Sequence, residues 1–149
     1  MLQNAYFGAG CFWGVEDKFQ SLDGVLEAIS GYAGGETLNP NYKSVCTGET
    51  GHAEVVKVIY ENEKISFLNL LEFFFSIHDC SLLNRQGPDI GTNYRSIVFY
   101  SNGNEKKLID QKIQALKDEG EIVATDVQEF KRFYEAEDYH QDYYLKNKL

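Results

Sequence analysis

The sequence predicts an α+β fold: a two-layer sandwich in which helices pack on a mixed sheet, related to the split βαβ (ferredoxin-like) plan. Two observations predict it. Segments with strand alternation and segments with helical periodicity follow each other in the order βαβ, βαβ, αβ. The 149 residues are 43% apolar, which suits one domain, residues 1–149, with its own core.

The first strand and helix flank a glycine turn. Residues 4–10, NAYFGAG, predict a strand that runs into the turn. A helix follows, because apolar residues recur every three or four positions from Phe12 to Leu22. The segment GVLEAIS from Gly24 predicts the second strand, and the glycine-rich residues 31–51 predict a long functional loop.

The remaining elements follow from alternation, caps and breakers. Ser66 and Asn104 are predicted to cap the second and third helices, and Gly120 is predicted to end the third. The elements predicted here are a strand at 52–61, a helix at 67–78, a strand at 94–101, a helix ending at Gly120 and a strand at 121–130. Residues 131–149 show no clean period and predict a long irregular segment that wraps the surface or part of a site.

The net charge of −9 excludes some classes of partner. A surface this acidic repels nucleic acid and anionic membranes. The N-terminal residues lack the pattern of a signal peptide and no stretch is long enough to span a bilayer, so we expect a cytoplasmic protein, and we expect a monomer. Three widely spaced cysteines without a CxxC pair favour a reactive thiol in a reducing compartment, with no disulfide scaffold and no metal site.

Cys11 is the candidate nucleophile. It follows the dipeptide Ala9-Gly10 and stands at the N-terminus of the first predicted helix. Free amide groups and the helix dipole favour an anion there, so we expect this thiol to ionise more readily than an ordinary one. The alternative is an inert, buried cysteine that behaves as a small apolar side chain.

Five segments together resemble the A-type peptide-methionine sulfoxide reductases. The resemblance runs in order from about Tyr6 to Tyr144 without large gaps. The segments are GCFWGVE at 10–16, GYAGG at 31–35, NPNYKSVCTGETGHAEVVKV at 39–58, NRQGPDIGTNYRS at 84–96 and YHQDYY at 139–144. The resemblance implies reduction of the S epimer of methionine sulfoxide, in proteins and as the free amino acid, and hence repair of oxidative damage.

The chemistry of this reaction fits residues that the sequence offers. A reducing site needs a thiolate, a slot for the methyl group and an acid that protonates the departing oxygen. Phe12 and Trp13 adjoin Cys11 and can form the slot. Glu54 lies on an apolar strand face, where burial raises the pKa of a carboxyl, so it is the candidate acid; the alternative is an exposed carboxylate at a strand edge.

Other site residues are implied by the resemblance. It places Tyr42 and Tyr94 in the active site, where their phenols hold the sulfoxide oxygen or a water. It also places Asp89 in the pocket, orienting the substrate, and His140 among the substrate-binding residues. We expect His52 only to support Glu54. His78 is expected to stabilise the carbonyl groups at a helix C-terminus.

Recycling of the oxidised Cys11 is left open by the sequence. Many members of the family carry resolving cysteines in a C-terminal tail beyond the YHQ segment, and this chain has none there. Cys80 stands where the family usually has proline, and Cys46 matches a position that often holds a non-resolving cysteine. Either thiol can resolve the sulfenic acid, or an external thiol reduces it directly. We favour the direct route; thioredoxin or glutathione with glutaredoxin supplies the electrons, and no cofactor is expected to be bound.

Two rival functions are distinguishable. A cysteine hydrolase needs His52 or His140 within hydrogen-bond reach of Cys11, together with an oxyanion hole. A non-catalytic, aromatic peptide-binding module needs only an inert Cys11, which alkylates no faster than a free thiol.

Overall fold

The computed structural model describes residues 1–147 as an α+β structure with eight strands and five helices in that range. The strands are β1 (Leu2–Ala9), β2 (Val25–Ala33), β3 (Ala53–Glu61), β4 (Arg85–Gln86), β5 (Asp89–Ile90), β6 (Ser96–Tyr100), β7 (Asp126–Glu129) and β8 (Phe133–Glu135). The helices are α1 (Phe12–Gln20), α2 (Tyr42–Cys46), α3 (Phe67–Ser76), α4 (Gly103–Asp118) and α5 (Tyr143–Asn147). None of these five helices is long and apolar enough to cross a membrane.

Six strands form one mixed sheet in the order β7-β6-β1-β3-β2-β8, while β4 and β5 form a separate hairpin. β3 is antiparallel to both β1 and β2, and only the β6–β7 pair in this sheet is parallel. Phe7 of β1 pairs with Val56 of β3, and Glu54 pairs with Tyr32 of β2. This register brings the start of β3 to the end of β1, where Cys11 follows.

The helices cover one face of the sheet. Phe7 of β1 stacks on Phe19 of α1 at 5.1 Å and lies 5.1 Å from the ring of Phe74 in α3. A smaller cluster lies on the other face, where Tyr6 stacks on Phe130 with ring centres 3.9 Å apart. Because both faces of the central strands are covered, six of the nine residues of β3 are buried and none is fully exposed.

The predicted mixed α+β architecture is confirmed, and three local predictions are wrong. Asn102, and not Asn104, caps α4, since its side chain accepts a hydrogen bond from the N–H of Glu105 at 2.9 Å. The loop predicted at residues 31–51 includes the end of β2 and the short helix α2, which Asn41 caps. The segment predicted to be irregular contains β8, a 3-10 turn and α5.

Candidate active site

Cys11 lies at the junction of β1 and α1. Its backbone is not helical, so it forms the N-cap of α1, and its side chain is half-buried. Gly10 before it has φ of 95°, and a Cβ there would lie 2.8 Å from Cβ of Gln86. Glycine is therefore required by both the backbone conformation and the close approach of the β4–β5 hairpin.

The thiol of Cys11 is less acidic than an ordinary thiol. Burial raises its pKa to about 11, and the carboxylates of Glu54 and Asp89 add to the rise. The backbone N–H groups of Trp13 and Gly14 lower the pKa, as expected at a helix N-terminus, but by less. The prediction that Cys11 ionises readily is therefore wrong, because loss of hydration outweighs the helix terminus.

Glu54 is the buried carboxyl beside this thiol. It is 1% exposed, and its Oε1 accepts a hydrogen bond from the N–H of Phe12 at 3.1 Å. Burial raises its pKa to about 7, while the Phe12 N–H and the nearby Asn93 amide lower it. Within residues 1–147, the buried atoms Glu54 Oε2 and Asn93 Nδ2 have no hydrogen-bond partner, although the two side chains are neighbours. Glu54 is thus a buried group of a central strand, and the alternative of an exposed edge carboxylate is excluded.

Two phenols and a second thiol share the electrostatic field of this carboxyl. Burial raises the pKa of Tyr42 well above its ordinary value and that of Tyr94 to about 12, and the charge of Glu54 adds to both rises. Both phenols lie beside the Cys46 thiol and, as donors, offset part of the rise that burial causes in its pKa. Tyr94 is also close to Cys11, because negative charge on the Cys11 sulfur raises the pKa of the Tyr94 phenol. Both phenols remain neutral donors at physiological pH.

The indole of Trp13 is held by the C-terminal segment. Its Nε1–H donates to Nδ1 of His140 at 2.9 Å, so the proton of this neutral imidazole lies on Nε2. Tyr143 stacks on the indole at 3.8 Å and 9°. The ring of Phe12 lies 5.1 Å from that of His140 and is itself 1% exposed. Phe12 and Trp13 therefore form a fixed aromatic wall next to Cys11.

Asp89 lies in the β4–β5 hairpin and is half-buried. Its charge raises the pKa of both Cys11 and Glu54, which places its carboxylate near the two groups. The structure thus brings together Cys11, Glu54, Asp89 and the two predicted tyrosines, which come from three of the five segments that carry the resemblance.

His52 and Cys80 lie away from these groups. His52 accepts from the N–H of Gly35 at 3.0 Å through Nδ1, so its Nε2–H donates to the carbonyl of Thr37 at 2.7 Å. It holds the loop after β2 and does not support Glu54 as expected. Cys80 is 6% exposed, and its Sγ lies 3.9 Å from the carbonyl oxygen of Ile122.

No imidazole of the described chain bonds to Cys11. His78 contacts the carbonyl of Phe74 and the hydroxyl of Ser96, both at 2.7 Å, which confirms its predicted position at the end of α3. His140 is committed to Trp13. A cysteine hydrolase pair is therefore not formed, and residues 1–147 contain no group of three or more His, Cys, Asp or Glu that could hold a metal ion.

Three neighbours of the site carry no signal of their own in the sequence. Asn93 lies in the NYRS segment beside Tyr94, and its burial next to Glu54 depends on the turn before β6. Gln86 and Tyr143 also lie within matched segments, but their contacts with Gly10 and Trp13 depend on residues distant in sequence. The sequence offers one sign of their importance: all three residues lie in segments that carry the family resemblance.

The α+β fold thus sets a buried carboxyl, and no imidazole of the described residues, beside the thiol of Cys11. A family model described as peptide methionine sulfoxide reductase matches residues 3–149, so the chain belongs to that family. It is an oxidoreductase that reduces methionine sulfoxide, a peptide-methionine (S)-S-oxide reductase.

Relatives and solved structures agree with this assignment. Peptide methionine sulfoxide reductase MsrA of Nautilia profundicola is 50% identical over 98% of this chain and 84% of its own length. Reduced Mxr1 from Saccharomyces cerevisiae superposes with a TM-score of 0.91 at 39% identity, covering 99% of this chain and 86% of that one. Mxr1 in complex with Trx2 matches at 0.65 and 27% identity, covering 95% and 84%.

Proposed function

We propose that Cys11 takes the oxygen of methionine sulfoxide and that Glu54 transfers the proton that this step needs. The sulfur of Cys11 attacks the sulfoxide sulfur and forms an S–S bond while the sulfoxide oxygen is protonated. The S–O bond then breaks as the hydroxyl group passes to the Cys11 sulfur, the S–S bond breaks, and the products are methionine and a Cys11 sulfenic acid. Two electrons pass from the cysteine sulfur to the methionine sulfur, and the oxygen ends on Cys11. The observation that carries this proposal is Glu54, 1% exposed with a pKa of about 7, beside the nucleophile.

The two pKa values explain how a weakly acidic thiol can react. Between pH 7 and 11 the pair of Cys11 and Glu54 holds one proton, which resides mainly on the sulfur. Transfer of that proton to Glu54 creates the thiolate and the acid in one step, and it removes the carboxylate charge that opposes ionisation. The same proton then passes to the sulfoxide oxygen, so the pair needs no outside acid.

The surrounding residues orient the substrate. Phe12 and Trp13 supply an apolar wall for the methyl group, and the neutral phenols of Tyr42 and Tyr94 donate to the sulfoxide oxygen. Asp89 orients the polar part of the substrate. His140, 1% exposed behind Trp13, acts through the indole. Both free methionine sulfoxide and oxidised residues in proteins are substrates in this proposal.

We place Cys46 ahead of Cys80 as the resolving thiol. Cys46 is exposed, and its thiol lies beside Tyr42 and Tyr94, whereas Cys80 is buried against a carbonyl. Attack of Cys46 on the sulfenic acid forms a Cys11–Cys46 disulfide and releases water. A thioredoxin dithiol then reduces the disulfide, and the complex of yeast Mxr1 with Trx2 supports this type of partner. The exposure of Cys46 and its place beside the two tyrosines put this route ahead of direct reduction by glutathione with glutaredoxin, which the sequence alone favoured and which is now the alternative.

The wider setting is proposed on the same basis. Residues 1–149 act as one monomeric catalytic domain. Its four central strands in the order β6-β1-β3-β2, with α1 and α3 as crossovers, support a relation to the split βαβ plan. A reaction that consumes thiol electrons suits the reducing cytoplasm.

One experiment tests both half-reactions. The reduced protein receives one equivalent of S-methionine sulfoxide without reductant, and methionine, intact mass and free thiols are measured. We expect the wild type to release methionine and to lose two thiols. We expect Cys46→Ser to release methionine and to keep a sulfenic acid. Cys80→Ser is the matched control and should behave as the wild type. If no methionine is released, the oxygen-transfer proposal is wrong. If a sulfenic acid persists in the wild type, Cys46 does not resolve it and an external thiol is the reductant.

A further inference from the structure

A second buried carboxyl, Glu16, lies in α1 close to the active site and takes no part in the proposed reaction. It is 2% exposed. Its Oε1 accepts a hydrogen bond from the hydroxyl of Ser30 at 2.8 Å, and its Oε2 accepts one from the N–H of Asp142 at 2.6 Å. One carboxylate therefore joins α1 both to strand β2 and to the C-terminal segment.

Asp142 lies between the two residues that hold the indole of Trp13. His140 accepts the indole proton, and Tyr143 stacks on the ring. The φ of Asp142 is 52°, a left-handed conformation that is uncommon for a residue other than glycine. The bond from Glu16 fixes the amide of this residue, where the chain turns from the 3-10 segment into α5.

A second tie holds the same segment to β2. The side-chain amide of Gln141 donates to the carbonyls of Ser30 and Ala136, and its oxygen accepts from the N–H of Ser30. Gln141 fixes the segment along the strand, whereas Glu16 connects it to the helix that carries Trp13. Burial raises the pKa of Glu16 to about 7, so keeping a carboxyl here has a cost that its two donors partly offset.

We infer that Glu16 is a positioning residue for the substrate slot: it fixes Asp142 so that His140 and Tyr143 hold Trp13 in place beside Cys11. This inference rests on the proposed function, in which Trp13 receives the methyl group. Glu16 does not touch the substrate. Its loss should weaken binding of methionine sulfoxide more than it slows the chemistry at sulfur.

Trp13 is the only tryptophan of the chain, so its fluorescence reports the position of the slot directly. In Glu16→Ala the indole should lose its stack, and its emission should shift to longer wavelength. The KM for methionine sulfoxide should rise about tenfold, with a smaller change in kcat. Glu16→Gln should restore both values, because the amide oxygen can accept from Asp142 and the NH2 group can donate to the Ser30 hydroxyl.

Ser30→Ala is the matched control, since it also removes one buried hydrogen bond of Glu16 but leaves the bond to Asp142. Its emission and KM should stay near those of the wild type. A folded Glu16→Ala with unshifted emission, or an equal shift in Ser30→Ala, would overturn the inference. If Glu16→Ala does not fold, Glu16→Asp makes the same test with a carboxylate too short to reach both partners.

The emission shift also separates this inference from the proposed reaction. A wild type that releases no methionine defeats the proposed oxygen transfer, whereas the shift in Glu16→Ala still supports the positioning of Trp13. A wild type that does reduce methionine sulfoxide, with no shift in Glu16→Ala, defeats the positioning role alone.

Discussion

Replacement of Glu54 by Gln should change how the stability of the folded protein depends on pH. The ordinary pKa of a glutamate is 4.5, and burial raises that of Glu54 to about 7. Because the folded state binds this proton more tightly than the unfolded state, the stability that the protonated group provides is present below pH 4.5 and is lost as pH rises to about 7. At about 1.36 kcal/mol per pH unit, the loss is about 3 kcal/mol.

The assay is urea unfolding of the wild type and Glu54→Gln at several pH values from 4.5 to 8. The glutamine keeps an acceptor for the N–H of Phe12 but cannot ionise. The wild type should therefore lose about 3 kcal/mol relative to the variant across this range. Other raised carboxyls, such as Glu16, titrate in both proteins and cancel in the difference. A difference that stays constant with pH would refute the burial argument for Glu54.

Three further outcomes are expected from the same structure. With a pKa of about 11, Cys11 is thiolate in about one molecule in ten thousand at pH 7. Iodoacetamide should therefore alkylate Cys11 more slowly than it alkylates glutathione at pH 7, and about tenfold faster per pH unit up to pH 10; rapid alkylation at pH 7 would contradict this. Because slow alkylation is expected of the enzyme itself, the release of methionine, and not this rate, distinguishes it from a non-catalytic binding module. The rate of single-turnover oxygen transfer should rise with pH to about 7 and then stay level, because above pH 7 the pair of Cys11 and Glu54 holds one proton. A steady decline of the rate above pH 7 would count against the shared proton. Gly31→Ala should destabilise the fold by about 1–3 kcal/mol in thermal unfolding, because its Cβ would collide with Phe133 and the Tyr134 carbonyl; an unchanged transition would show that β8 can move away.

Most of the fold follows from local pattern. Alternation predicted β3, and the Ser66 cap predicted the start of α3, because a hydroxyl there satisfies the amide of Asn69. The C-terminal elements were missed because they depend on distant partners. Gln141 is placed by Ser30, more than a hundred positions earlier, and such pairing leaves no periodic pattern in the sequence.

The residue types of the site were also predictable, but the acidity of its thiol was not. Cys11 stands at a helix N-terminus as expected, and that position does lower its pKa. The larger, opposite effect of burial, and the charges of Glu54 and Asp89 that add to it, depend on segments distant in sequence. His140 is joined to the site by the hydrogen bond that it accepts from Trp13, and no local sequence pattern predicts that bond.

The contacts of Trp13 also determine when the site can exist during synthesis. Cys11 and Trp13 are made more than a hundred residues before His140 and Tyr143, which hold the indole. A nascent or truncated chain that stops before residue 140 has the nucleophile but no ordered wall beside it. The aromatic wall beside Cys11 is therefore ordered only after residues 140–143 have been made and have packed against α1.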